Sequence, residues 1–198
     1  MEAKPDEYSD SGKKSRTKIL RTATVLTVLA VLLLGSLYVY LSYSGSGSPQ
    51  KLFSDIHAAD IPADPGLNAA SLTPPGFAAS MRSFREKKYE KALAGFTELA
   101  KTGRENDTLA CYLGLAHLEL KHADTAIFWL EKALSMGSGG IIQEKAEIYL
   151  GLAFVLKGDF SSANHSFRTI AANEQHTFHN EAIKAEARLL RYFEREEE

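Results

Sequence analysis

Tyr112-Leu113-Gly114-Leu115-Ala116 returns unchanged as Tyr149-Leu150-Gly151-Leu152-Ala153, and the repetition runs on beyond the shared letters. Twelve residues after Gly114 stands Ala126, followed by Leu130 and Ala133; twelve after Gly151 stands Ala163, followed by Phe167 and Ile170. Apolar residues at three- and four-residue steps mark helices. A matched series with a period in the thirties marks a repeated helix pair. The reading is an all-α chain built as a solenoid of helical hairpins.

Working outward, no proline occurs after Pro75, so nothing interrupts helices through the carboxyl terminus. Thr73 and Pro74 suit a cap and first turn, opening a helix to about Lys87, and Tyr89 to Lys101 makes its partner. Asn106 and Asp107 suit the cap of a helix reaching Lys121, and Ala123 to Met136 returns from it, ended by Gly137. Gly139 and Gly140 are expected to loosen the connection to a helix from Ile141 to Leu156. Gly158 and Asp159 then turn the chain into Phe160 to Ala172. His176 to Phe193 closes the series, with Phe178, Ala182, Ala185, Leu189 and Tyr192 on one face, as a cap for the last repeat's stacking surface.

Leu113, Gly114, Ala126, Leu130 and Ala133, and again Leu150, Gly151, Ala153, Phe154, Gly158, Asp159, Phe160, Ala163 and Phe167, resemble the tetratricopeptide repeat signature. An earlier unit keeps only Tyr89, Ala92 and Phe96, with Ala79 and Ser80 where Leu-Gly is expected. Ala92, Ala126 and Ala163 are spaced 34 and 37 apart, against a family period of about 34. The resemblance, over about residues 76 to 172, implies roughly three hairpins plus the capping helix. It also implies that Gly114 faces Ala126 and Gly151 faces Ala163 at the close-packed seam of each hairpin. The inner, concave surface then carries Phe77, Met81, Phe84 and Arg85, next Cys111, Leu115, Leu118 and Glu119, and finally Ile148, Leu152, Val155 and Leu156.

Such a groove is markedly apolar, and large apolar patches are seldom left bare. Either it receives a partner polypeptide, or the chain's own residues 51–67 lie in it, with Leu52, Phe53 and Ile56 at hand. The resemblance disfavours one use of the family. Members that grip chaperone tails rely on Lys, Asn and Arg at inner positions, and here Phe77, Met81 and Tyr112 stand there, with Lys145 the polar exception.

The amino-terminal third gives the expected location. Residues 1–21 form a polar arm in which Lys13, Lys14, Arg16, Lys18 and Arg21 crowd together. Thr22 to Leu41 carries no charge, and such a length of helix spans roughly 30 Å, the thickness of a bilayer core. Residues 22–43 are read as an uncleaved signal anchor, with Tyr38, Tyr40 and Tyr43 at the far interface and the basic arm cytoplasmic. Residues 44–75 follow as a Ser/Gly/Pro-rich tether with a short apolar segment, in which Leu52, Phe53 and Ile56 at helical spacing suit a short helix capping the edge of the folded domain, and residues 76–198 as the repeat domain. This layout looks like bacterial inner-membrane proteins with a periplasmic repeat domain.

The remaining residues point away from catalysis. A net charge of −2 argues against a nucleic-acid partner. Cys111 has no second cysteine to pair with. His176 and His179 lack a third metal ligand at companion spacing, as do His117 and His122. Ser161, Ser162 and His165 lack an orienting acid and an oxyanion loop. The expectation is a non-enzymatic scaffold with a protein partner, using no cofactor, metal or small-molecule substrate.

Overall fold

In the computed structural model, which describes residues 30–37, 48–59, 76–103, 105–137 and 139–196, the helix pairs fall where the apolar period puts them. The chain divides into two compact units, Met1–Ser48 and Pro49–Glu198. In the first, residues 30–37 are helical (α1), and the side chains of Val31, Leu32, Leu33, Leu34 and Leu37 are exposed. No described helix is long and apolar enough to cross a membrane. Most of the expected span at 22–41 lies outside the described residues.

The second unit begins with α2 (Pro49–Ala59) and continues as α3 (Phe77–Arg85), α4 (Tyr89–Lys101), α5 (Asp107–Glu119), α6 (Ala123–Met136), α7 (Gly140–Lys157), α8 (Phe160–Ala171) and α9 (His179–Glu196). Each helix from α3 to α9 packs on its sequence neighbour, and the first helices of successive hairpins, α5 and α7, also touch. One continuous core runs through the stack.

The three hairpin turns share one construction. The N–H groups of Lys88, His122 and Asp159 each donate to a carbonyl five residues back, on Ser83, His117 and Phe154, at 2.9 Å. The preceding residues, Lys87, Lys121 and Gly158, donate to Phe84, Leu118 and Val155. This paired bonding is the Schellman ending of a helix, and it requires a left-handed residue. Gly158 meets the requirement without strain at φ 83°, whereas Lys87 and Lys121 are held at 58° and 64°. A side chain in that region costs roughly 1–2 kcal/mol, partly offset by glycine's greater unfolded freedom. Lys87→Gly is therefore expected to raise the unfolding free energy by about 0.5 to 1 kcal/mol in a urea melt. A loss of stability would show that Lys87 makes a contact worth more than the strain.

Each hairpin seam is set by one side-chain-free position. A Cβ on Gly114 would lie 2.6 Å from Leu130 Cγ, and one on Gly151 2.6 Å from Phe167 Cε1. Leu130 and Phe167, and not the expected Ala126 and Ala163, are thus what the glycines meet, and both alanines are fully buried. In the first hairpin the small residue has changed helices. Ser80 stands at the glycine position of α3, and Gly95 of α4 makes room for it, its would-be Cβ falling against Ser80 Oγ.

Several boundaries differ from expectation. The first helix begins at Phe77 behind Gly76; Thr73 and Pro74 lie outside the described residues. Gly139 and Gly140, expected to loosen a connection, instead start α7 with φ 74° and 70°. The last helix begins at His179, because His176 and Phe178 form a turn in which Phe178 N–H donates to His176 Nδ1 at 3.0 Å. That bond leaves the proton on Nε2, which meets Glu147 Oε2 of α7 at 3.1 Å. The short helix expected around Leu52, Phe53 and Ile56 is present as α2, and it belongs to the compact unit. Pro49 suits its first turn, and His57 sits in the last turn, where helix carbonyls favour a donor.

Candidate functional site

The side of the stack formed by α7, α9 and the end of α5, which the resemblance makes the inner one, is the seat of α2. The helix runs antiparallel to α7 and also touches α9. Its first residue, Pro49, comes against Gly158 at the end of α7, and His57, two turns on, reaches Tyr149, ring centroids 6.2 Å apart. Leu52, Phe53 and Ile56 point inward and are 4%, 1% and 0% exposed. Lys51, Ser54 and Asp55 face out.

A polar clasp closes over this apolar contact at the end of α5. Lys121 places Nζ 3.8 Å from the centroid of the Phe53 ring, a cation–π geometry that gains strength away from water. Burial pushes the Lys121 ammonium below its usual pKa, and the nearby Glu119 carboxylate works in the opposite direction. Glu119 Oε1 lies 2.9 Å from His57 Nε2, with both side chains less than a fifth exposed. The distance is that of an ion pair, although the approach is off the line of a hydrogen bond. Tyr89 of α4 also holds Glu119: burial raises its hydroxyl pKa, as do the carboxylate's charge and the hydrogen bond it accepts.

The inner residues expected from the sequence take three different situations. Leu115, Leu118, Leu152 and Val155 are at most 2% exposed, shut in among α2, α5 and α7. They do not form an open surface, and α2 packs on α7, the helix that carries Leu152 and Val155. Cys111, Ile148 and Leu156 are likewise buried. Phe77 and Phe84 turn into an aromatic cluster with Phe96, Tyr89 and Tyr112, the Phe77–Tyr112 centroids lying 5.7 Å apart. Met81 is buried, and Arg85 is exposed at the end of α3. Glu119, of the expected set, comes within ion-pair distance of the occupant of the face.

Sequence reasoning missed two contributors, Lys121 and His57, and misplaced Lys145. Lys121 owes its position to the left-handed turn, and alignment with Gly158 marks that turn in the sequence. His57 stands four residues after Phe53, with ring centroids 5.3 Å apart, a spacing that marks a helix face. Lys145, the polar exception among the inner positions, is fully buried and donates from Nζ to Tyr112 Oη at 3.2 Å. It reads as an interior tie between α7 and α5.

Reactive-looking groups elsewhere are engaged in structure. Ser162 Oγ donates to Asp159 Oδ2 at 2.8 Å within the cap of α8, and His117 and His122 meet through Nδ1 atoms 3.3 Å apart at a hairpin turn. Among the described residues, no group of three potential metal ligands comes together.

No protein-family model matches the chain, and no curated protein matches it. Among solved structures, it is similar to the second TPR domain of human RPAP3, determined in complex with the HSP70 peptide SGPTIEEVD. The TM-score is 0.50 at 20% identity, over 57% of this chain and 90% of that one. The first TPR domain of human RPAP3 is similar at a TM-score of 0.52 and 18% identity, over 61% and 91%. Identities this low bear on architecture alone, and there they agree with the hairpin turns and glycine seams: α3 to α9 adopt a tetratricopeptide-like helical-hairpin fold.

Proposed function

We propose that the chain is a non-enzymatic interaction scaffold that holds a partner polypeptide near a membrane. The observation carrying this reading is the concave face itself, which accommodates a polypeptide helix through buried apolar side chains and a polar clasp. That is the chemistry of polypeptide recognition. The peptide held by the RPAP3 domain supports the same use of the fold. The tight seating of Phe53 and Ile56 favours a second reading, a structural or regulatory subunit whose groove stays self-filled.

The membrane part rests on the uncharged run Thr22 to Leu41 and the basic cluster before it. In this proposal residues 1–21 are cytoplasmic, residues 22–41 cross the inner membrane, and the repeats lie in the periplasm. The expected result is that the full chain stays with carbonate-washed membranes and that deleting residues 22–41 releases it. Protease added to spheroplasts is expected to digest the repeat domain. Protection of that domain would place it in the cytosol, as in an import receptor, and contradict the proposed orientation.

A further inference from the structure

We infer that the concave face is a helix-binding site whose resident ligand is α2, and that it exchanges α2 for an amphipathic helix of a partner protein with the same pattern. The pattern is an aliphatic–aromatic pair, an apolar residue three positions after the aromatic, and a basic side chain next to it. This rests on the reading of the domain as an interaction scaffold and adds the chemistry of what it takes.

The resident helix defines the ligand. The face holds a helix and not an extended strand, because Pro49 to His57 tracks α7 from Gly158 back to Tyr149. The aromatic position is selected by Lys121, whose ammonium lies over the Phe53 ring. The basic position is selected by Glu119, which Tyr89 holds in place and which His57 reaches at 2.9 Å. Leu52 and Ile56 supply the apolar contacts on either side.

The same helix is seated in a way that permits exchange. It has 11 residues, a length at which a helix is marginal without its docking partner. It buries one face only. Along its seam with α9 runs an open cleft of about 470 Å³ lined by Leu52, Asp55, Arg188, Arg191 and Glu194. Residues 60–75 connect α2 to α3, and a connection of this length presents α2 at an effective concentration on the order of millimolar. An external helix therefore meets strong competition in the intact chain and little once α2 is weakened.

The test uses the full chain in detergent micelles and a fluorescein-labelled peptide of residues 48–59, read by anisotropy. Phe53→Ala with Ile56→Ala is expected to bind the peptide at least about tenfold more tightly than the unaltered chain. A peptide carrying the same two substitutions is expected not to bind, and adding Lys121→Ala to the vacated chain is expected to weaken binding about tenfold. Equal binding by the unaltered and vacated chains overturns the exchange. A vacated chain that binds a scrambled peptide as well as residues 48–59 overturns the stated ligand while leaving the scaffold reading intact. A folded vacated chain that binds no polypeptide sinks both. Should the double variant not fold, millimolar peptide added to the unaltered chain is expected to speed hydrogen exchange in α2. Exchange unchanged by peptide overturns the inference.

Discussion

Phe53→Ala is expected to lower the unfolding free energy of the Pro49–Glu198 unit by about 3 to 4 kcal/mol. The ring is 1% exposed and is covered by Lys121. Its removal forfeits apolar burial, leaves a cavity and uncovers a desolvated ammonium. The loss has a ceiling, however. Once α2 is no longer worth docking it detaches, and the cost becomes that of docking α2 and no more. Adding Ile56→Ala is then expected to cost less than it does alone, the non-additivity typical of groups that act as one unit. Urea melts of the three variants in one micelle preparation check both statements. A Phe53→Ala loss under about 1 kcal/mol would mean that α2 contributes little to the fold.

Gly151→Leu is expected to cost about 3 kcal/mol by overpacking. Even the first added carbon falls 2.6 Å from Phe167 Cε1 and 3.0 Å from Cδ1, and the Phe167 ring is fully buried. The two helices of the hairpin must separate or the ring must leave its rotamer. Gly95→Ala provides the contrast. Its clash is with the Ser80 hydroxyl, the end of a side chain that can rotate, and alanine returns roughly 0.5 to 1 kcal/mol of helix preference. A near-neutral result is expected there. Equal losses at the two positions would show that seam width is not what glycine controls.

Much of the hairpin stack was legible because it depends on local chemistry repeated in phase. The apolar steps gave α4 and α6 to the residue, and the Asn106 cap is present, its side chain accepting from Leu109 N–H at 2.8 Å. The seam glycines, Gly114 and Gly151, follow one spacing in both units, but the side chains that meet them are Leu130 and Phe167 and not the expected alanines. The Ser80–Gly95 contact was not legible, since a small residue on either helix satisfies the seam and the alignment looks at only one of them. The start of α7 was misread because glycine suits both a loose connection and a helix start at positive φ, and Gly139 and Gly140 serve the second.

The candidate site was half legible. Helical phase puts Leu115, Leu152 and Val155 on the inner side, but phase fixes direction and says nothing of cover. The apolar face of Leu52, Phe53 and Ile56 was visible as well. Whether it fills the groove depends on how α2 registers against α7, and no local pattern encodes that register. Lys145 illustrates the same limit: a lysine at an inner position reads as a polar contact for a ligand, whereas its ammonium is buried on Tyr112.

The central claim is that α2 is docked in the concave face, and amide hydrogen exchange of the full chain in micelles tests it most directly. A free helix of this length is marginal, so protection within it reports docking. Amides of residues 53–57 are expected to exchange at least about a hundredfold more slowly than in the isolated peptide, and Phe53→Ala is expected to abolish the difference. Exchange of those amides at the rate of the free peptide would contradict the account.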